Sequence, residues 1–462
     1  MKMEVSIIAE KAVRYAQKLG ADAAEAYVLK QKSIMVHVEQ GAISNESVQE
    51  IGGVGIRIIR DNACGFSHID KLAEKKVKQI VENAYHIAKA SIPDPNNILP
   101  HPKPFPKAEG IYDKRIVDFQ VENAVEMTKN MLDAALNYDQ RVRADMGGIE
   151  IRVEEEALAN TEGVNVVEEG TFMGVFIWGL ARENGEVTSS AGEEGYSRQL
   201  DLNVEEIGTT FAEKAVKQFG AKKIDSFEGT VILDFAPAAE LIGGTLAFGV
   251  RSDNVQRYAS PLKGKIGSEL AVPQLNVIDD GLLEGGMMTK TFDDEGNPRK
   301  RTSILEKGVL KNFLFDTYTS KKEGTESTGN ASRRRLGLFF VPSLPFESPP
   351  QLIPSNLIIK SGDRSREQLI EEVDKGVLVG RFSGNTELSN GNFSGSVKQG
   401  FLIENGEIKH PLIGTMISGN SYELMKNISG ISREFKILES RGIPSIQSPI
   451  IRAEKMKITG KT

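Results

Sequence analysis

The residues that could do chemistry are few and scattered. The five histidines are His37, His68, His86, His101 and His410. No two of them stand at His-x-x-His or His-Glu-x-x-His spacing, the pattern that puts two imidazoles and a base on one helical face around a catalytic metal. Each therefore reads as structural, and His86, four residues after Glu82, reads as half of a helix-surface pair. Cys64 is the single cysteine. One thiol makes neither an intrachain disulfide nor a thiolate metal cluster, and it suits a reducing compartment. The acidic pairs Asp279-Asp280 and Asp293-Asp294 could share acid–base work if buried together, but their Gly-, Asn- and Pro-rich settings predict turns. Arg333-Arg334-Arg335 could grip a carboxylate or a phosphate; its context predicts a solvated loop. The glycine-rich stretches 52–55 and 383–395 lack the Gly-Lys-Ser/Thr of a phosphate loop, and no Gly-x-Ser-x-Gly elbow precedes a suitably placed histidine. Residue by residue, the chain holds no complete catalytic set.

The elements that would position these groups follow from periodicity. Val5, Ile8, Ala9, Ala12, Ala16 and Leu19 fall at helical spacing, with Gly20 placed as a C-cap. Ile34, Val36 and Val38 alternate with Met35 and His37 as in a strand, and GVGIRII, Asp61-Asn62 and ACGFSHI read as a hairpin. Leu72 to Ala90 returns to helical spacing. Residues 1–90 are thus an α+β unit with antiparallel strands. Pro93, Pro95, Pro100, Pro102, Pro104 and Pro106 make 91–112 a linker or extended arm. A second α+β block covers 113–222: a helix from Val121 to Ala135, strands in GIEIRVEEE, TFMGVFIWGL and EVTSS, and a helix from Val204 to Val216 closed by Gly220. From 228 to 462 the texture is mostly β, a barrel or sandwich. It opens with the buried strand TVILDF, and PAAELIGGTLAFGV follows as a short helix or a loop. LGLFFV and other short apolar runs read as strands. Ser365 to Lys375 is helical behind a Ser-x-x-Gln capping box, and Ser421 to Ile428 adds a further helical turn.

Bulk properties set the class. The chain has 462 residues, roughly three domains' worth. Hydrophobic residues at 39% and charged residues at 26% exclude general disorder. A net charge of −7 argues against nucleic acid as the main partner. Glu10, Lys11 and Arg14 interrupt the first apolar stretch, so it is no signal peptide. No run of apolar residues is long enough to span a bilayer. The cytoplasm is the expected location.

Several long segments resemble one family. ADAAEAYVLKQKSIMVHVEQGAI, GVGIRIIRDNACGFSHID, FDDEGNPRKRTSILEKGVLKNFLFDTYTSKKEGTESTGNAS, NGNFSGSVKQGFLIENGEIKHPLIGTMISGN and SPIIRAEKMKITG resemble, in order, the TldD/PmbA (TldE) proteins. The resemblance implies a cytoplasmic peptidase system with an N-terminal α/β region and a β-rich C-terminal domain. The zinc-bearing branch carries His-Glu-x-x-x-His after the first C-terminal strand and a cysteine near the C-terminus. Here the motif positions fall on Gly243, Gly244 and Phe248, and no cysteine follows. The chain therefore resembles the PmbA/TldE-like branch: no zinc of its own and no catalytic residue, with zinc expected in a TldD-like paralogue that partners it as a dimer. The resemblance also implies an unfolded polypeptide substrate, bound in extended form by sequence-tolerant backbone pairing. Segment 243–248 and the glycine-rich 383–395, through Ser383, Asn385, Asn390, Asn392 and Ser394, are expected to line the shared cavity; the alternative for 383–395 is a plain surface loop. Two other readings stay open: an active metallopeptidase with unrecognised ligands, and a non-enzymatic homodimeric peptide-binding protein.

Overall fold

A computed structural model describes residues 2–334, 344–440 and 443–461. Arg335 and LGLFFV lie outside the described residues.

The N-terminal part is built on long antiparallel strands. Helix α1 (Lys2–Lys18) leads into β1 (Ala23–Glu39), β2 (Ala42–Arg60) and β3 (Ala63–Ile69), and α2 (Glu74–Ala90) follows. The β2–β3 turn is the Asp61-Asn62 pair, both at positive φ, as a two-residue type I′ connection requires. The proline-rich stretch carries neither helix nor strand. After the short α3 (Lys114–Val117) come α4 (Val121–Tyr138), β4 (Val142–Asn160), β5 (Asn165–Glu183), β6 (Glu186–Val187), β7 (Ala191–Ser197) and α5 (Val204–Val216). Asn203 caps α5 by accepting the Glu206 N–H at 3.1 Å.

The two N-terminal blocks share one seven-stranded half-barrel sheet, ordered β3-β2-β1-β4-β5-β6 with β7 also on β5. The seam is β1 against β4, paired from Glu25↔Asn160 to Glu39↔Met146. Alternation then sorts the faces. Even residues of β1 and odd residues of β4 (Ala26, Val28, Ile34, Val36; Ile149, Ile151, Ala157) lie in the cores under α1, α2, α4 and α5. The opposite face carries Glu150, Arg152, Glu154 and Glu156 in a row on β4, and beyond them an apolar patch of Tyr27, Leu29 and Leu158 that packs on Phe292 and Phe346. The C-terminal domain packs against that face.

Among the described residues the C-terminal domain is built on a thirteen-stranded mixed sheet. Strand β8 (Phe227–Leu233) lies antiparallel to Ile443–Thr459 and parallel to Lys375–Val379. Val231, Ile232 and Leu233 are buried, as the sequence predicts. PAAELIGGTLAFGV is helical: Phe235–Ala238, a π-turn at Ala239–Gly244, then Thr245–Gly249. The Ser365 capping box is present, but its helix ends at Glu371, and Lys375 begins a strand. Among the described residues no helix is long and apolar enough to cross a membrane.

A buried ion network joins the two parts. Glu25 on β1 binds Arg57 on β2 at 2.8 Å and also pairs with Arg333; Arg57 reaches Glu295 at 2.9 Å. Beside it Lys290 binds Glu156 at 2.5 Å and Asp294 at 2.6 Å. This corrects the reading of Arg333-Arg334 as a solvated loop: the Arg333 side chain is fully buried and Arg334 pairs with Glu154. It also corrects the acidic pairs as simple turns. Asp293 does accept the Glu295 and Asn297 N–H groups in a turn, but that turn is sealed under the sheet. Asp279 is a buried strand residue held by Asn330 and Ser355.

Candidate functional site

The helical segment after β8 holds Gly243, Gly244 and Phe248, the positions that the resemblance sets against the ligands of the zinc-bearing branch. Gly243 and Gly244 are buried and Phe248 half-buried. Glycine offers no donor to a metal and phenylalanine offers an apolar ring. Gly243 lies in the π-turn and outside the left-handed region, yet a Cβ there would lie 2.0 Å from Ile446 Cδ1 and 3.7 Å from Leu357 Cδ2. Gly244 is open, with Leu388 Cδ2 at 4.0 Å. Both nearby carboxylates have structural roles. Asp234 accepts the Phe235 N–H at 2.8 Å, capping the helix, and lies 3.4 Å from Arg366. Glu240 faces Arg381, whose guanidinium lies 4.9 Å from the Trp178 ring and donates to Ser190 at 3.0 Å. Among the described residues no three His, Cys, Asp or Glu side chains converge as a metal site. None of the side chains at Gly243, Gly244 and Phe248 supplies a zinc ligand.

Segment 383–395 is a hairpin, not a loop: Arg381–Glu387 pairs with Asn392–Lys398. Ser383 and Asn385 on one strand, Asn392 and Ser394 on the other, and Asn390 in the turn are all exposed. Phe382, Phe393 and Val397, on the opposite face, enter the same core as Leu241, Ile242 and Leu246. The hairpin thus meets the 243–248 segment with its apolar side, Leu388 standing beside Gly244, and its polar residues lie on the exposed face.

The histidines are dispersed. His37, His68, His86 and His101 are exposed, His101 lies 3.2 Å from Glu162, and His410 contacts the Pro411 carbonyl oxygen at 3.0 Å. Glu82 accepts from Tyr15 at 2.6 Å rather than pairing with His86.

A groove lies where sequence reading placed nothing. On the polar face of the sheet, past the ion network, Gln31, Ser33, Met35 and His37 of β1, Glu150, Arg152 and Glu154 of β4, Phe172 and Phe176 of β5 and Tyr196 of β7 form its floor. Met287, Met288, Leu344, Pro345, Glu439 and Pro444 form the opposing wall, and the cavity measures about 250 Å³. Arg152 stacks 4.3 Å from the Phe172 ring centroid and binds Glu150 at 2.9 Å and Glu154 at 2.7 Å. Burial opposes the charge on Glu154, but Arg152 and Arg334 outweigh it and hold the carboxyl down at about 2. Glu439 is pushed up to about 7, first by burial and then by Glu194. Glu194 is raised by burial and accepts from Tyr196 at 3.1 Å. The alternation in GIEIRVEEE was the available signal: its apolar positions face the helices, so Glu150, Arg152 and Glu154 must share the other face.

The comparisons agree along the whole chain. Models of the PmbA/TldA metallopeptidase domain 1, central domain and C-terminal domain match residues 24–88, 114–219 and 226–460. An uncharacterised protein of Methanocaldococcus jannaschii is 31% identical over 423 residues, covering 90% of this chain and 93% of its own. The metalloprotease PmbA of Escherichia coli O157:H7 is 24% identical over 473 residues, covering 98% and 96%. The crystal structure of TldE from Thermococcus kodakarensis superposes with a TM-score of 0.88 at 26% identity, covering 98% of this chain and 100% of that one. With three domain models matched in order, this chain belongs to the PmbA/TldD metallopeptidase family.

Proposed function

We propose that this chain is the member of a TldD/TldE-type peptidase that carries no zinc of its own, and that it pairs with a zinc-bearing paralogue to help hold an extended polypeptide for cleavage. The observation that carries the reading is at Gly243. The position of the first motif histidine has no side chain, and the space beside it is filled by Ile446. Gly244 and Phe248 supply neither base nor second imidazole. The groove between sheet and C-terminal domain is the place for the polypeptide: a cleft of about 250 Å³ with polar and aromatic side chains on its floor suits a few residues of extended chain. An interface with the paralogue should bury well over ~1,000 Å², as expected of a stable assembly. The test is elemental analysis of the purified chain after dialysis, alone and co-expressed with the paralogue. The reading expects no stoichiometric zinc in the lone chain and one zinc per pair in the co-purified complex. One tightly held zinc in the lone chain defeats it.

A further inference from the structure

The charges around the groove do not balance. Among the described residues three carboxylates line it, Glu150, Glu154 and Glu439, against two guanidiniums, Arg152 and Arg334. Both guanidiniums are already engaged: Arg152 lies between Glu150 and Glu154, and Arg334 is on Glu154. Glu439 is left over. Among the described residues no cation stands within ion-pair distance of it. Its nearest charged influences are Glu194, which repels it, and Arg152, which is already shared. It belongs to the strand Ile428–Ser440 on the C-terminal wall, reached by solvent yet sheltered enough in the groove for burial to raise its carboxyl. Opposite it, Tyr196 and Phe172 lie with ring centroids 6.3 Å apart and half-buried. A carboxylate facing aromatic rings in a partly dehydrated cleft matches one kind of guest: a cationic head on an apolar stem, which gains from the ion pair, the ring faces and burial of its methylenes together.

We propose that the groove selects polypeptide segments that place a lysine or arginine side chain against Glu439. This rests on the reading of the groove as the polypeptide site and adds its preference. Glu439 lies on the C-terminal wall while the rings lie on the N-terminal sheet, so the basic side chain also bridges the two parts. Arg152 is already held by Glu150 and Glu154 and lies 4.3 Å from the Phe172 ring centroid.

The test is fluorescence anisotropy on the full chain with two labelled unstructured peptides that differ in one central residue, Lys in one and Gln in the other. The lysine peptide is expected to bind roughly fivefold to tenfold more tightly, the scale of one charge-assisted contact at a partly exposed site, with the difference shrinking as salt is raised. Glu439→Gln should bring the two affinities together, and an unchanged thermal melt reports that the variant is folded. Glu439→Lys should reverse the preference. Equal binding of the two peptides, or a preference that survives Glu439→Gln, overturns the assignment to Glu439 and leaves the groove standing. Failure of both peptides to bind the wild-type chain overturns the groove as polypeptide site, and the preference with it.

Discussion

Replacing Arg333 with methionine should destabilise the junction between sheet and C-terminal domain by about 3–5 kcal/mol, the cost of breaking a buried ion pair from one side. The network holds two carboxylates, Glu25 and Glu295, and two guanidiniums, Arg57 and Arg333. Arg333→Met leaves two negative charges on one positive, with Glu25 entirely shut off from water. It also strips the Ser348 carbonyl of its 2.9 Å donor. Glu25→Gln makes the mirror-image defect, leaving Arg333 without a carboxylate. The double variant returns to one guanidinium and one carboxylate, the Arg57–Glu295 pair. Its loss should therefore fall short of the summed single losses by about 2 kcal/mol or more. Urea unfolding followed by the fluorescence of Trp178, the lone tryptophan, reads this. Trp178 packs against Arg381 of the C-terminal domain, so parting of the two units changes its surroundings. Single losses under ~1 kcal/mol, or strictly additive ones, would refute the claim that these charges form one network.

Other outcomes follow from the same structure. Gly243→Ala should cost about 1–2 kcal/mol by forcing Ile446 to move, whereas Gly244→Ala, in open helical backbone, should be neutral or stabilise by up to ~1 kcal/mol; adding Ile446→Val to Gly243→Ala should recover most of the loss in a thermal melt. Combining Gly243→His, Gly244→Glu and Phe248→His should give weak zinc binding at best in equilibrium dialysis and no peptidase activity, because the third ligand is missing; a cysteine placed between Phe435 and Ser440 should tighten zinc if the architecture is shared with the zinc-bearing branch. Burial pushes the Asp279 carboxyl up to about 6 from 3.8. The native state therefore keeps a proton that the unfolded chain releases, and this residue's contribution to stability falls as pH rises from about 4 to 6, by roughly 3 kcal/mol. Asp279→Asn should remove that component, so the variant-minus-wild-type stability should rise with pH across the window; a flat difference in parallel urea titrations would show that the burial effect is absent.

Local pattern was enough for much of this protein. Apolar spacing marked α1, α2, α4 and α5, because a helix buries a stripe whatever it packs on. The Asp61-Asn62 hairpin was legible because positive φ restricts which residues fit its turn. The absence of ligands at Gly243, Gly244 and Phe248 was likewise local, since a side chain without donors cannot hold a metal in any fold. What local pattern could not supply was the partner across space. Asp293, Asp294, Arg333 and Arg334 carry turn-like sequence contexts, and only the fold buries them, because the carboxylate that Arg333 meets is 308 residues away on β1. Burial of a charge is decided by whether a distant counter-charge arrives, which no window of sequence contains. The two N-terminal blocks became one sheet for the same reason: β1 met β4 across the proline-rich arm. The hairpin at 383–395 left its polar residues on the exposed face because Phe382 and Phe393 had a core to enter. The groove, with Glu439 opposite Tyr196, exists only where the C-terminal domain closes over the polar face of that sheet.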